Sequence, residues 1–506
     1  MRHEGDGETP RAEAGGPAQH WKAACLLLLA AAALIAARAV GQIVLPAYDD
    51  AFITYRYARN LARGYGFVYH PGEWVLGTTC PAFGLVVAGL VALRLPVLSS
   101  VVALNIAADV ATLSCTVWAL GRAGRHMAGA FFAFFFALSP IMTRICVGGM
   151  EMNLFLLCSL ASVLLYHRRA SRAAAALAAA CYHLRPEAVL LVGILCVEEW
   201  LAGRKRNSVW MAVIALGVAL PPALVILHYY GHILPQSVIA KSGSVNAPFL
   251  VVLNNLLLND AQSWVLVPFS VWGWVIAVKR RGVARTLAVW GAAYLAAYLA
   301  ARPHTWSWYG EAVAYVQFVL AALGCADLLG RLPRLAQRVS PARVCVAGSA
   351  GVVAAWVGLW ALLGPSTVNT DVYRPMKRWC EKTCVAGSSI LAEDIGAIGY
   401  FSDTRIYDAA GLVWPGALSY RSIPDMILAN SPTYLLLNAG GSGRSVGLDP
   451  VVRRLYEPVE TFSGSRPRRL GPRLLYRSSN WRQEYTLLRR RGSAVANGFD
   501  GRGATP

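Results

Sequence analysis

The sequence is poor in charge, and poorest in acid. Charged residues make up 15% of its 506 residues, and 27 Asp and Glu stand against 47 Lys and Arg. An ordinary globular domain carries about 25% charge. With 56% of the chain hydrophobic, these figures exclude a disordered chain, a coiled coil and a conventional soluble enzyme. They leave a protein with many membrane spans. No internal repeat stands out, and the pair-of-pairs cysteine spacing of a metal site is missing. Most of the 11 cysteines are scattered singly through apolar stretches, where Cys behaves as a small hydrophobe. The exception is Cys380 and Cys384, which can pair as a disulfide if the tail faces an oxidising compartment. The net charge of +20 would suggest a nucleic acid partner on a soluble surface. Here most basic residues sit in short loops and the tail, so they are read as topology signals and no nucleic acid is expected.

What is present is a series of apolar runs at 23–44, 98–121, 127–142, 152–166, 173–184, 188–202, 208–230, 262–278, 286–301, 311–330 and 344–365. The run 81–95 ends at Pro96 and gives roughly 22 Å of helix, too short for a hydrocarbon core of about 30 Å. The runs at 173–184 and 188–202 are short too, with Arg185, Pro186 and Glu187 between them.

Charge orients these runs. The connections 122–126, 167–172, 203–206, 279–285 and 331–343 hold 16 Lys and Arg and no acid. By the positive-inside rule they are cytoplasmic. The alternate connections, 45–80, 143–151, 185–187, 231–260 and 303–311, hold six basic and seven acidic residues. One frame satisfies every loop: cytoplasmic N-terminus, eleven spans, 81–95 dipping in and returning, and the C-terminal domain outside. The motif ARA at 37–39 leaves a cleaved signal peptide open, but an uncleaved first span is preferred. Residues 1–22 read as a disordered cytoplasmic leader and 23–365 as the membrane domain.

After about residue 366 the apolar runs shorten to strand length, as in SSILA, TRIYDAAGL and TYLLLN, between Gly- and Pro-containing turns. This predicts a small α/β domain over 366–480. Residues 481–506 read as a basic, disordered tail.

In this frame the polar segments of unusual composition share the outside face. Asp49 and Asp50 follow the first span and open a stretch with Phe52, Tyr55, Arg59 and Ala62 at helical spacing. That predicts a helix lying on the membrane surface. The paired acids either cap its N-terminus, provide a general base for an acceptor hydroxyl, or hold a divalent cation. Lys241 is either a solvated loop charge or a point charge for a phosphate. Arg185 and Glu187 lie where charges are costly unless paired or lining a wet cavity. Arg144 and Glu151 bracket a tight Gly-Gly turn. Asp109, one turn after Asn105, lies mid-span. Burial against neighbouring helices is favoured for it over a functional role. Trp308 and Tyr309 suit the interfacial aromatic belt better than sugar stacking.

These residues carry a family resemblance. DDAFITYRYARN, GYGFVYHPGE and GTTCP resemble the first outside loop of bacterial membrane glycosyltransferases of the GT-C type, which use polyprenyl-phosphate sugars. GGMEMNLF, LRPEAV, GHILPQSVIAKSG and EDIGAIGYFSDTRIYDAAGLVWP resemble later family segments, in order, over residues 45–415. His70, Met152-Asn153, Ala188 and Gln236 depart from the usual residues. The resemblance implies an α-helical polytopic membrane protein of GT-C-like fold, with about eleven spans, a re-entrant helix and a small C-terminal α/β extracytoplasmic domain. It implies a plasma (inner) membrane enzyme that moves a sugar from a polyprenyl-phosphate donor to a glycan or lipid acceptor hydroxyl, with inversion. Asp49 or Asp50 would be the base. Lys241, Arg185, Arg56 and His304 would face the donor phosphate. Glu151, Glu187, Arg59, Trp308 and Tyr309 would support them. No cofactor is certain, and a divalent cation at Asp49 and Asp50 stays open. The alternatives are a lipid or sugar transporter or flippase, and a non-catalytic scaffold.

Overall fold

The structure, a computed structural model, describes residues 17–242, 247–279, 281–384, 387–439, 443–465 and 482–492. Most of the leader and the end of the tail lie outside these residues. The first apolar run forms α1 (Pro17–Val44), followed by α2 (Asp49–Ala62), α3 (Pro81–Ala92) and α4 (Val97–Arg122). The run at 127–142 divides into α5 (His126–Leu138) and α6 (Pro140–Gly148), bent by 57°. Pro140 lacks an N–H and disfavours helical backbone at Ser139, so the helix breaks there. The Ser139 side chain then caps the new start by accepting from the Met142 amide.

Next come α7 (Met152–His167), α8 (Ser171–Ala180), α9 (Ala188–Leu201), α10 (Lys205–Tyr230), α11 (Gln236–Ser242) and α12 (Phe249–Leu257). The bundle is completed by α13 (Ala261–Val278), α14 (Val283–Ala301), α15 (Glu311–Gly330), α16 (Pro333–Ala336) and α17 (Pro341–Leu363). Among the described residues, seven helices are long and apolar enough to cross a membrane, or eight with α5 and α6 as one span. This is an integral membrane protein. The eleven expected runs therefore do not all yield full-length helices: α7, α8 and α9 have 16, 10 and 14 residues. The predicted re-entrant run is the 12-residue α3, about 18 Å long at 1.5 Å per residue.

The central pillar is α15, buried at every position from Glu311 to Gly324. It packs closely on α13 because Gly324 and Gly273 face each other's backbones. A Cβ on Gly273 would sit 1.7 Å from the Leu320 carbonyl oxygen, and one on Gly324 2.1 Å from that of Phe269. Small residues at such crossings permit close helix packing in a membrane.

The C-terminal region begins with α18 (Arg374–Thr383) and builds a five-stranded mixed sheet of order β2-β1-β3-β5-β4. The strands are β1 (Ser389–Ala392), β2 (Arg405–Asp408), β3 (Tyr434–Asn438), β4 (Tyr456–Ser465) and β5 (Arg482–Arg490), with α19 (Gly396–Phe401) between β1 and β2. The three strand-length runs form β1, β2 and β3. The boundary at 480 is corrected: β5 lies inside the span read as a basic disordered tail. It pairs antiparallel with both β3 and β4. Tyr485 and Leu487 are buried, and Arg489 and Arg491 reach Glu457. Paired charges keep this basic strand in the sheet.

Cys380 and Cys384 stand as free thiols in side-chain contact with each other, the pairing expected in an oxidising compartment not being formed here. Cys380 packs in the core while Cys384 caps the end of α18.

Candidate active site

The loops divide between the two ends of the bundle as their charge predicts. Asp50, Thr78, Glu151, Arg185, Lys241, Trp308 and Tyr309 line one cleft. They come from five connections or their edges, which places positions 50 and 241 at a common surface. The inner part of the cleft leaves about 60 Å³ of space for water-sized molecules.

The neighbouring aspartates turn to different partners. Asp49 does not cap its own helix, whose N-terminus has no side-chain cap. Its carboxylate accepts from the amides of Gly396 (2.7 Å) and Ala397 (2.9 Å) at the start of α19. Only glycine fits here, because a Cβ on Gly396 would lie 1.8 Å from the Asp49 carbonyl oxygen. Burial, then Asp394, with a smaller push from Asp50, raises the Asp49 carboxyl to about 8 against the two amide bonds. Asp50 instead lines the cleft. Among the described residues none hydrogen-bonds its carboxylate. Burial raises its affinity for a proton and Lys241 opposes that. The two acids thus have different partners. Among the described residues no group of three His, Cys, Asp or Glu is placed to hold a metal ion.

The cations divide in the same way. Arg185 donates to Glu151 (2.9 Å) and to Glu187 (2.6 Å) and lies 5.0 Å from the Tyr309 ring centre. The Tyr298 hydroxyl also donates to Glu187. The guanidinium is thus locked at the junction of α8 and α9, as its setting demanded. Lys241 donates to the Tyr309 hydroxyl at 3.3 Å. Burial disfavours its ammonium, but Tyr309 and Asp50 outweigh burial and leave it raised.

Arg56 and His304 depart from their expected phosphate-binding role. Arg56 is buried and gives its three donor nitrogens to the carbonyls of Tyr69 (2.8 Å), Gly399 (2.9 Å) and Thr404 (3.0 Å). It fastens α2 to the sheet domain. Arg59 makes the same kind of contact with the carbonyls of Tyr400 and Ser402 and the side chain of Asp403. His304 is exposed and stacks on Trp306, outside the cleft lining. The surface-helix expectation is corrected too. Nine of the 14 residues of α2 are buried, because α2 is held between bundle and sheet domain. Trp308 and Tyr309 line the cleft, and it is Trp306 that is exposed as a belt residue would be.

Three departures from the family pattern make hydrogen bonds of their own. His70 accepts from the Ile406 amide at 3.0 Å, and Gln236 donates to the Gly411 carbonyl at 3.2 Å. Burial, with Arg56 and Arg405 nearby, lowers the His70 imidazole to about 2, so it is neutral. Asn153 donates to Asp109 at 2.7 Å.

Asp109 is indeed a packing residue, and its main partner escaped the sequence reading. Arg38, inside the first apolar run, donates to it at 2.7 Å with both side chains fully buried. The signal was an arginine in one span and an acid in another. Glu311 was counted as a loop acid, yet it is fully buried with both carboxylate oxygens unpartnered among the described residues.

Comparison with known proteins completes the description. Residues 366–488 match a family model described as a domain of unknown function, DUF8728. No curated protein matches the sequence. Two crystal structures of ArnT from Cupriavidus metallidurans, one bound to undecaprenyl phosphate and one in the apo state, share the fold. Each is 12% identical, with 94% of this chain and 98% of that chain covered and a TM-score of 0.60. The chain therefore adopts the fold of these structures, a helical membrane bundle with a small C-terminal sheet domain.

Proposed function

We propose that the chain is a membrane glycosyltransferase of the GT-C type that takes a sugar from a polyprenyl-phosphate donor. The observation that carries this reading is the cleft in which Asp50, a carboxylate with no hydrogen-bond partner among the described residues, lies with Lys241 and the locked Arg185. It stands on the fold of ArnT, a protein whose structure holds undecaprenyl phosphate. The cleft lies at the extracytoplasmic face, since the opposite loops hold the basic residues and no acid.

In the reaction Asp50 takes the proton of an acceptor hydroxyl as that oxygen attacks the anomeric carbon from the side opposite the phosphate. The bond from carbon to the phosphate oxygen breaks, and its electron pair leaves with polyprenyl phosphate. Lys241 and Arg185 stabilise the charge that develops there. Glu151 and Glu187 fix the orientation of Arg185 and offset its charge, so Lys241 carries most of that stabilisation and Arg185 acts mainly through its directed N–H groups. Asp49 positions α2 through α19 and does not touch substrate.

The test is release of polyprenyl phosphate from a panel of polyprenyl-phosphate sugars by purified protein. Asp50→Asn should lower turnover by about 100-fold or more, and Asp49→Asn by less. If no donor is turned over by folded protein, or if Asp50→Asn is fully active, the reading fails.

A further inference from the structure

The opposite end of the bundle holds a second site of different chemistry. A cavity of about 410 Å³ opens between α4, α7, α14 and α15 and the connection after α13. That is within the range of about 300–1,000 Å³ typical of small-molecule sites. Four arginines line it: Arg122 and Arg125 at the end of α4, and Arg281 and Arg285 after α13. No acid lines it. Two acids act on its arginines from beside it: Asp327 on Arg125, and Glu198 on Arg281 and Arg285 from an adjoining hollow of about 220 Å³. The Glu198 carboxylate accepts from Thr286 at 2.8 Å. The interior wall is apolar, made by buried Leu120, Leu160, Leu287 and Val319. Tyr315 and Thr116 line the same cavity and hydrogen-bond to each other at 2.8 Å.

We propose that this cavity binds the phosphate of an anionic phospholipid, with part of an acyl chain against the apolar wall. Cations alone would suit any phosphate, and an apolar wall alone any lipid. Their combination at the end that carries the basic loops selects an amphiphile with an anionic head, as basic pockets between spans do elsewhere. The binding is independent of the transfer reaction, because none of these residues touches the cleft of Asp50 and Lys241.

The test is native mass spectrometry of the full chain in detergent, titrated with phosphatidylglycerol, with phosphatidylcholine, or with inorganic phosphate. Wild-type protein should retain phosphatidylglycerol well above phosphatidylcholine, and inorganic phosphate should not displace it. Arg281→Gln with Arg285→Gln should weaken phosphatidylglycerol retention by roughly 30-fold while leaving phosphatidylcholine retention unchanged. Ala119→Trp, which fills the cavity and keeps the arginines, should abolish the preference as well. Equal retention of the two lipids by wild type overturns the proposal. So does displacement by inorganic phosphate, or a preference that survives either variant.

Discussion

The two ends of the bundle both gather charged side chains, but on opposite terms. At and below the cleft three arginines are buried and each is answered. Arg185 lies between Glu151 and Glu187, Arg38 meets Asp109, and Arg56 fills its fork with carbonyl oxygens. At the other end Arg122 and Arg281 are exposed and Arg125 and Arg285 half-buried, and among the described residues no carboxylate lines their cavity, though Asp327 and Glu198 act on them from beside it. Buried charge persists only when paired, so the cleft end is rigid and intolerant of change. Solvated charge costs little to keep or to lose, so the other end is suited to reversible, salt-sensitive binding. The difference separates a region built to hold a geometry from one built to attract an anion.

The largest effect should come from breaking a buried pair. Asp109→Asn strands Arg38 in the bundle and should cost about 3–5 kcal/mol, read as a large fall in the thermal midpoint in a single detergent. A variant as stable as wild type would show that this end is not held by its ion pairs. Next is Arg56→Met, which leaves three carbonyls short of a donor at about 1–3 kcal/mol each. It should release the sheet domain, so limited proteolysis within 366–490 should run at least tenfold faster. Unchanged cleavage would assign the docking to other contacts.

A smaller effect is expected from pH. The Asp49 carboxyl is raised from 3.8 to about 8, first by burial and then by Asp394. The folded chain therefore keeps a proton that the unfolded chain releases above about pH 4. Its contribution is complete below that pH and is lost as pH rises through 8. The thermal midpoint should fall between pH 4 and 8, and Asp49→Asn should flatten that slope. An identical slope in the variant would remove Asp49 from the docking account.

Glu311→Gln replaces a buried carboxyl that has no partner among the described residues. The midpoint should rise or stay within about 0.5 kcal/mol, and a clear fall would reveal a partner for the carboxylate. Smallest of all is Arg285→Gln at the opposite end, which should change stability by less than about 0.5 kcal/mol. A large loss there would erase the contrast between the two ends.

Much of this organisation was legible in the chain. The apolar runs located the long helices, and the shortness of 81–95 matches the 12 residues of α3. The alternation of basic and mixed loops separated the two ends correctly. The cluster of Asp50, Glu151, Arg185 and Lys241 at one cleft was legible because loop charge and family motif pointed the same way. Strand β5 was not, because its arginines masked a period of two through Tyr485 and Leu487. Arg38 was not, because a single charge inside an apolar run reads as part of a span boundary.

The sequence by itself determined where the long apolar helices lie, which loops carry the basic charge and where the first three strands lie, since hydropathy, period and charge are local properties. Only the tertiary structure decided that Asp49 binds the sheet domain while Asp50 faces the cleft. It also decided that Arg56 fastens two regions, and that Asp109 answers Arg38 across 71 residues of chain. The physical reason is that a charge takes its role from its partner. Partners are set by packing between segments far apart in sequence, whereas residue type and spacing record only the need for one.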